Sequence, residues 1–133
     1  MDRKLIITGM IFILLGIILG AFGAHGLKKA LEDDPDMVNH LASYETGVRY
    51  QMYAGFSCLL IGFSSDKFQF SLKPVYLLWL IGTLCFSGSI YFLSMNYLFD
   101  GALKFLGPIT PIGGLLLIIG WLILLLKFVT QKK

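Results

Sequence analysis

Glu45, Arg49 and Tyr53 follow one another at four-residue intervals, the spacing that stacks side chains along one face of a helix. The acid precedes the base, which is the favourable order for an i, i+4 ion pair. Such a unit has two chemical uses. It can satisfy itself as a clasp at a membrane boundary, with the arginine stretching toward water and the tyrosines in the aromatic belt. Alternatively, Arg49 can hold an anionic group, a carboxylate or a lipid phosphate, with its planar fork. His25 has a ring that titrates near neutrality when unperturbed, which suits a proton relay or a ligand. A lone histidine lacks the companions a metal needs, and His40 lies far along the loop, so a hydrogen-bonded histidine at a helix end is the plainer role. The full candidate set is His25, Glu45, Arg49, Tyr50, Gln51, Tyr53, Asn96 and Thr110. No nucleophile and base, phosphate-cradling glycine loop or carboxylate pair can be assembled, so no catalytic residue, metal or cofactor is assigned. Asp66 and Asp100 stand alone in separate loops.

The elements that position this set follow from composition. Of 133 residues, 56% are hydrophobic and only 14% are charged, against about 25% charged in a soluble domain. So small a domain has a large surface to cover, and this one has too few polar groups to cover it in water. Lipid is the natural surrounding. The net charge of +3 comes with no basic tract for nucleic acid; the basic residues flank apolar runs instead. Cys58 and Cys85 fall inside apolar runs and read as small packing residues.

Four runs suit transmembrane helices of about 20 residues, at roughly 5–24, 44–63, 75–98 and 106–129. Each must be helical, because an open strand leaves backbone groups unpaired in lipid. The fold class is therefore an all-α integral membrane protein, one four-helix bundle over residues 1–133. The first run is longer than the roughly 7–15 residues of a signal-peptide core, which excludes that reading. Arg3, Lys4, Lys67, Lys73, Lys127, Lys132 and Lys133 fall on the side of the two termini, against Lys28, Lys29, Arg49 and Lys104 opposite. The excess places both termini in the cytoplasm by the positive-inside rule.

The loop from His25 to Gly47 is the long one. Gly26 reads as a helix stop, with residues 27–31 continuing as a short interfacial turn. Asp34-Pro35 reads as an N-cap followed by proline at the first helical position, opening a helix that runs on through the second crossing. Ile109-Thr110-Pro111 gives the fourth helix an irregular start. Small residues recur at four-residue spacing: Gly16, Gly20 and Ala24; Ala54, Cys58 and Gly62; Thr83 with Ser87; Cys85 with Ser89. In lipid such faces let helix backbones approach closely, so these positions, Ser87 and Ser89 included, are expected to pack helices rather than line a path.

Four motifs stand in order: Gly20-Ala21-Phe22-Gly23-Ala24-His25-Gly26-Leu27, Arg49-Tyr50-Gln51-Met52-Tyr53, Phe86-Ser87-Gly88-Ser89-Ile90-Tyr91, and Pro108-Ile109-Thr110-Pro111-Ile112-Gly113-Gly114. Together they make the chain resemble the membrane family known as domain of unknown function 423, to which eukaryotic transmembrane protein 256 is similar. The resemblance implies a four-helix membrane protein and brings no activity with it. One departure is visible: the family usually follows its tyrosine-glutamine run with His-Ala, where this chain has Ala54-Gly55.

The function expected from these features is that of a non-enzymatic accessory or packing partner in the cell (inner or plasma) membrane. Its expected partners are membrane lipids and a second copy or another membrane protein, with no nucleic acid. Two alternatives stand beside it: a carrier or channel for a small solute or ion, working as an oligomer, and a lipid- or quinone-binding protein using Arg49 and the tyrosines.

Overall fold

Asp2 opens the first helix by placing its carboxylate under the backbone N–H groups of Lys4 and Leu5, at 3.0 and 3.2 Å. That satisfies two donors that a helix start leaves unpaired. The structure is a computed structural model that describes residues 1–131. Lys132 and Lys133, counted above on the cytoplasmic side, lie outside the described residues. Four long helices follow in chain order: α1 Arg3–Phe22, α2 Met37–Phe63, α3 Lys73–Ser94 and α4 Ile109–Thr130. No strand occurs among the described residues.

Gly26 does not stop the first helix. The rod continues through a π-helical turn, Gly23–Leu27, and a last α-helical turn, Lys28–Ala30. The glycines that suggested a terminus instead let the turn widen against its neighbours: a Cβ on Gly23 would sit 2.6 Å from the Tyr44 ring, and one on Gly26 would sit 2.8 Å from Phe22. Asp34-Pro35 is likewise not the cap and first residue of α2. The helix begins two residues later, behind Asp36, because the Asp34 carboxylate accepts the Asp36 N–H at 2.9 Å and holds the preceding turn closed. From there α2 runs unbroken into the second apolar run, as the sequence suggested. The third helix stops at Ser94 rather than Leu98, and Asn96–Phe99 turns as a 3₁₀ helix. Asp100 (φ 50°) and Gly101 (φ 82°) then reverse the chain in the left-handed region. The fourth helix starts at Ile109 rather than 106, after a 3₁₀ turn at Lys104–Leu106.

The four helices form a row in which α1 packs on α2, α2 on α3 and α3 on α4. The close approaches repeat every seven residues rather than every four. The positions are Gly9 and Gly16 on α1 with Gly23 in the π-turn that follows it, Gly55 and Gly62 on α2, and Gly113 and Gly120 on α4, while Gly47 of α2 stands outside the repeat against Tyr91 of α3. A seven-residue period keeps one face of a helix against its partner in left-handed pairs. A Cβ on Gly9 would lie 2.7 Å from the Gly55 carbonyl oxygen, and one on Gly113 would run into the backbone of Phe86. Of the expected face on α1, only Gly16 is tightly packed. Gly20 is half-buried at 3.4 Å from Val48, and Ala24 is exposed. Ala54, Cys58, Gly62, Ser87 and Ser89 are all buried.

The start of α1, the end of α2, the start of α3 and the end of α4 share one end of the row. Asp2 donates its backbone N–H to the Gly62 carbonyl at 2.9 Å. Gln131 bridges to the Lys67 carbonyl and the Gln69 N–H, both at 3.0 Å. A core of Leu5, Cys58, Val75, Trp79 and Leu124 fills this terminal end. Leu27, Leu31, Tyr44 and Tyr91 form a second core at the opposite, loop end.

Candidate functional site

By length and composition three stretches are fit to cross a membrane: Arg3–Ala30, Lys73–Ser94 and Lys104–Thr130. The 27-residue α2 is long enough, but its residues 37–51 include the polar Asn39, His40, Glu45, Arg49 and Gln51. Of these, Glu45, Arg49 and Gln51 belong to the set that the sequence gathers into a single site with His25, Tyr50, Tyr53, Asn96 and Thr110, and the fold sends that set in several directions.

Gln51 points into the core. Its amide nitrogen donates to the Phe12 carbonyl at 2.9 Å, and its oxygen accepts the Tyr91 hydroxyl at 2.7 Å. Buried amides need such partners, since an unmade hydrogen bond there costs about 1–3 kcal/mol. Thr110 turns to Ser89, hydroxyl to hydroxyl at 2.6 Å, and ties the opening of α4 to α3. Asn96 accepts the Leu103 N–H at 2.9 Å and holds the loop between them. Ser87 donates to the Gly47 carbonyl at 2.8 Å. Apart from the loop bond at Asn96, each of these joins two helices.

Glu45 and Arg49 are both exposed and form no ion pair with one another. His25 is exposed on the π-turn and its ring makes no hydrogen bond among the described residues, so it is not the hydrogen-bonded helix end that the sequence suggested. The histidine that does pair is His40, whose Nδ1 lies 2.5 Å from the carboxylate of the buried Asp34, with Asp36 at 3.9 Å from the other ring nitrogen. Burial works against charge on Asp34, but the Asp36 N–H and the His40 ring outweigh it and hold its pKa below the usual carboxylate value.

Tyr50 and Tyr53 face away from all of these, into a groove between α2 and α4 that is floored by α3. The groove encloses about 650 Å³. Tyr50, Tyr53, Ala54 and Ser57 form one wall, Gly114 to Leu125 of α4 the other, and Phe86 and Trp79 the floor. Aromatic rings dominate it: Tyr50 lies 5.0 Å from Phe86 and 5.7 Å from Tyr53, and Trp79 lies 4.7 Å from Trp121. Few polar atoms reach it, because the Ser57 hydroxyl is spent on the Tyr53 carbonyl of its own helix at 2.7 Å. Along α4 it extends about 17 Å, from the helical rise between Gly114 and Leu125. An apolar cavity of roughly 300–1,000 Å³ between bundle helices is the usual form of a small-molecule site.

Sequence reasoning missed the two tryptophans. Their signal was position: tryptophan in a membrane protein favours the interfacial belts, and Trp121 lies well inside α4. It also missed the groove, because α2 and α4 are not consecutive and nothing local marks their meeting.

An all-helical chain with several bilayer-length apolar helices is an integral membrane protein. This one belongs to the family described as "Protein of unknown function (DUF423)", whose profile matches residues 19–114. It is 39% identical over 124 residues to the UPF0382 membrane protein of Staphylococcus epidermidis, covering 93% of each chain. It is 37% identical over 129 residues to the UPF0382 membrane protein YwdK of Bacillus subtilis, covering 96% of this chain and 97% of that one. No solved structure matches.

Proposed function

We propose that this chain is a non-enzymatic, multi-pass protein of the cell membrane that holds an apolar, chain-like molecule of the bilayer in the groove between α2 and α4. The observation that carries this reading is the groove itself: about 650 Å³, aromatic-walled and open along its length. This is the lipid-binding alternative drawn from the sequence, resting on the tyrosines rather than on Arg49, and it is put ahead of the accessory role. The reading is favoured over a solute carrier because most of the polar groups between the helices pair off in separate knots, Gln51 with Tyr91, Ser87 with Gly47 and Ser89 with Thr110, and the buried atoms left without a partner, Trp79 Nε1, Thr83 Oγ1 and Ser94 Oγ, are closed off from the surface.

The same reading has the chain cross the membrane four times with both termini cytoplasmic. Its support is that α2 runs beside α1 over one depth, from Tyr44 on the Leu19 carbonyl to Gly62 on Asp2. Among described residues the terminal end carries Arg3, Lys4, Lys67, Lys73 and Lys127, against Lys28, Lys29, Arg49 and Lys104 at the loop end, and Lys132 and Lys133 add to the first group by sequence.

The test is native mass spectrometry after purification in a mild detergent. The wild-type protein is expected to retain at least one apolar-tailed molecule per chain. Ser57→Phe, which fills the groove without touching the glycine seams, should retain one fewer. A wild-type protein that carries none, or a Ser57→Phe variant that carries as much, contradicts the proposal.

A further inference from the structure

A second cavity of about 520 Å³ lies at the loop end on the opposite flank of α2, between that helix and α1. Its wall is apolar: Gly20 and Gly23 on one side, Tyr44 and Val48 on the other. The Tyr44 hydroxyl is spent on the Leu19 carbonyl at 2.9 Å, so the wall offers no free donor. Three charged side chains form the rim: Lys28, Glu45 and Arg49. The rim thus carries two cations and one anion, and none of the three is ion-paired among the described residues.

This arrangement depends on the π-turn. A π-turn inserts about one extra residue into a helix and rotates whatever follows by roughly a quarter of a turn. Leu27 and Lys28 emerge from it in succession, Leu27 buried in the loop-end core and Lys28 on the cavity rim. Turns of this kind recur at functional sites, because they aim a side chain at the expense of regular hydrogen bonding. Lys28 and Arg49 therefore reach one opening from two different helices, at the level where the apolar stretches give way to the loop.

We propose that Lys28 and Arg49 grip the phosphate of an anionic membrane lipid whose upper part lies along the apolar wall between α1 and α2. The guanidinium supplies a planar pair of donors and the ammonium a point charge, the two usual phosphate partners. Glu45 on the same rim disfavours a second negative group and limits the site to one head group. The apolar wall distinguishes a lipid from free phosphate, which would leave that wall unused.

The experiment reconstitutes the full chain in nanodiscs with equal parts of phosphatidylglycerol and phosphatidylcholine, and reads retained lipid by native mass spectrometry. The wild-type protein should retain the anionic lipid over the zwitterionic one by about tenfold, the scale of one charge-assisted hydrogen bond. Lys28→Gln with Arg49→Gln should abolish the preference, while the exchange Lys28→Arg with Arg49→Lys should keep it. Glu45→Gln should strengthen it. Both cations are exposed, so thermal unfolding in lipid-free detergent should not change and separates lost binding from lost folding. Equal retention of the two lipids by the wild type, or an undiminished preference in the double variant, overturns the proposal. Displacement of the lipid by inorganic phosphate at millimolar concentration overturns the lipid as the source of the phosphate. Ser57→Phe should leave this preference intact, so failure of the groove and failure of the rim are read separately.

Discussion

Alanine at Gly9 and alanine at Gly20 are the same chemical change on the same helix, and the structure gives them opposite signs. At Gly9 the new methyl would lie 2.7 Å from the Gly55 carbonyl oxygen and 2.9 Å from Leu59 Cγ. Ordinary contact begins near 3.4 Å, so the deficit is 3.4 − 2.7 = 0.7 Å, against backbone that cannot rotate aside. The two helices must part. A gap of that size forfeits roughly a quarter to a half of each contact's dispersion energy, and overpacking of this kind costs about 1–3 kcal/mol. Replacing a mid-helix glycine returns about 0.5–1 kcal/mol, leaving a net loss of about 1–2 kcal/mol. At Gly20 the methyl meets only Val48 Cγ1 at 3.4 Å, so the helix gain of about 0.5–1 kcal/mol stands nearly alone. The two variants should differ by about 2 kcal/mol, roughly thirtyfold in the unfolding constant. Circular dichroism during titration of mixed micelles with dodecyl sulfate measures both. Equal shifts for the two variants would refute the seven-residue seam and restore the four-residue face of Gly16, Gly20 and Ala24.

Three further outcomes follow from the same geometry. Gln51→Leu strands the buried Tyr91 hydroxyl and should cost about 1–3 kcal/mol; adding Tyr91→Phe should recover part of it, a non-additivity that a double-mutant cycle reads directly. Asp34 has a folded-state pKa held below its ordinary value of 3.8, so its contribution to stability is complete above that value and is lost as the pH falls through the lower, folded one. Asp34→Asn should therefore flatten the acid limb of stability between about pH 5 and pH 2, and an unchanged acid limb would remove the Asp34–His40 latch. Cysteine at Lys28 or Lys104 should react with an impermeant thiol reagent on intact cells while cysteine at Lys67 should not; the reverse pattern inverts the topology.

The helices were legible in the sequence because long apolar runs between charged flanks leave the backbone no other option in lipid. Their ends were less so. Gly26 carries the signature of a helix stop, yet Tyr44 and Phe22 pack against a glycine surface and the rod simply widens and goes on. The candidate site was legible as a set of residues but not as an arrangement. Polar residues at one depth look alike in sequence, whether they point inward, as Gln51 does to Tyr91, or outward, as Arg49 does. Helical phase could have separated Tyr50 from Glu45 and Val48 on α2, but Tyr53 shares the i, i+4 row with Glu45 and Arg49 and gives no such signal. No phase argument could have brought Trp121 of α4 beside them, since that depends on the order of the helices in the row.

The groove is tested most directly by a lipid whose chain carries a photoreactive diazirine at its middle, incorporated with the protein in nanodiscs and mapped by peptide mass spectrometry. A held chain predicts adducts concentrated on Tyr53, Ser57, Ile118 and Trp121, the residues that line the groove, and their loss in Ser57→Phe. Adducts spread evenly over Leu14 and Ile17, which are as exposed but lie on α1 away from it, would show ordinary solvation by the bilayer and contradict a site between α2 and α4.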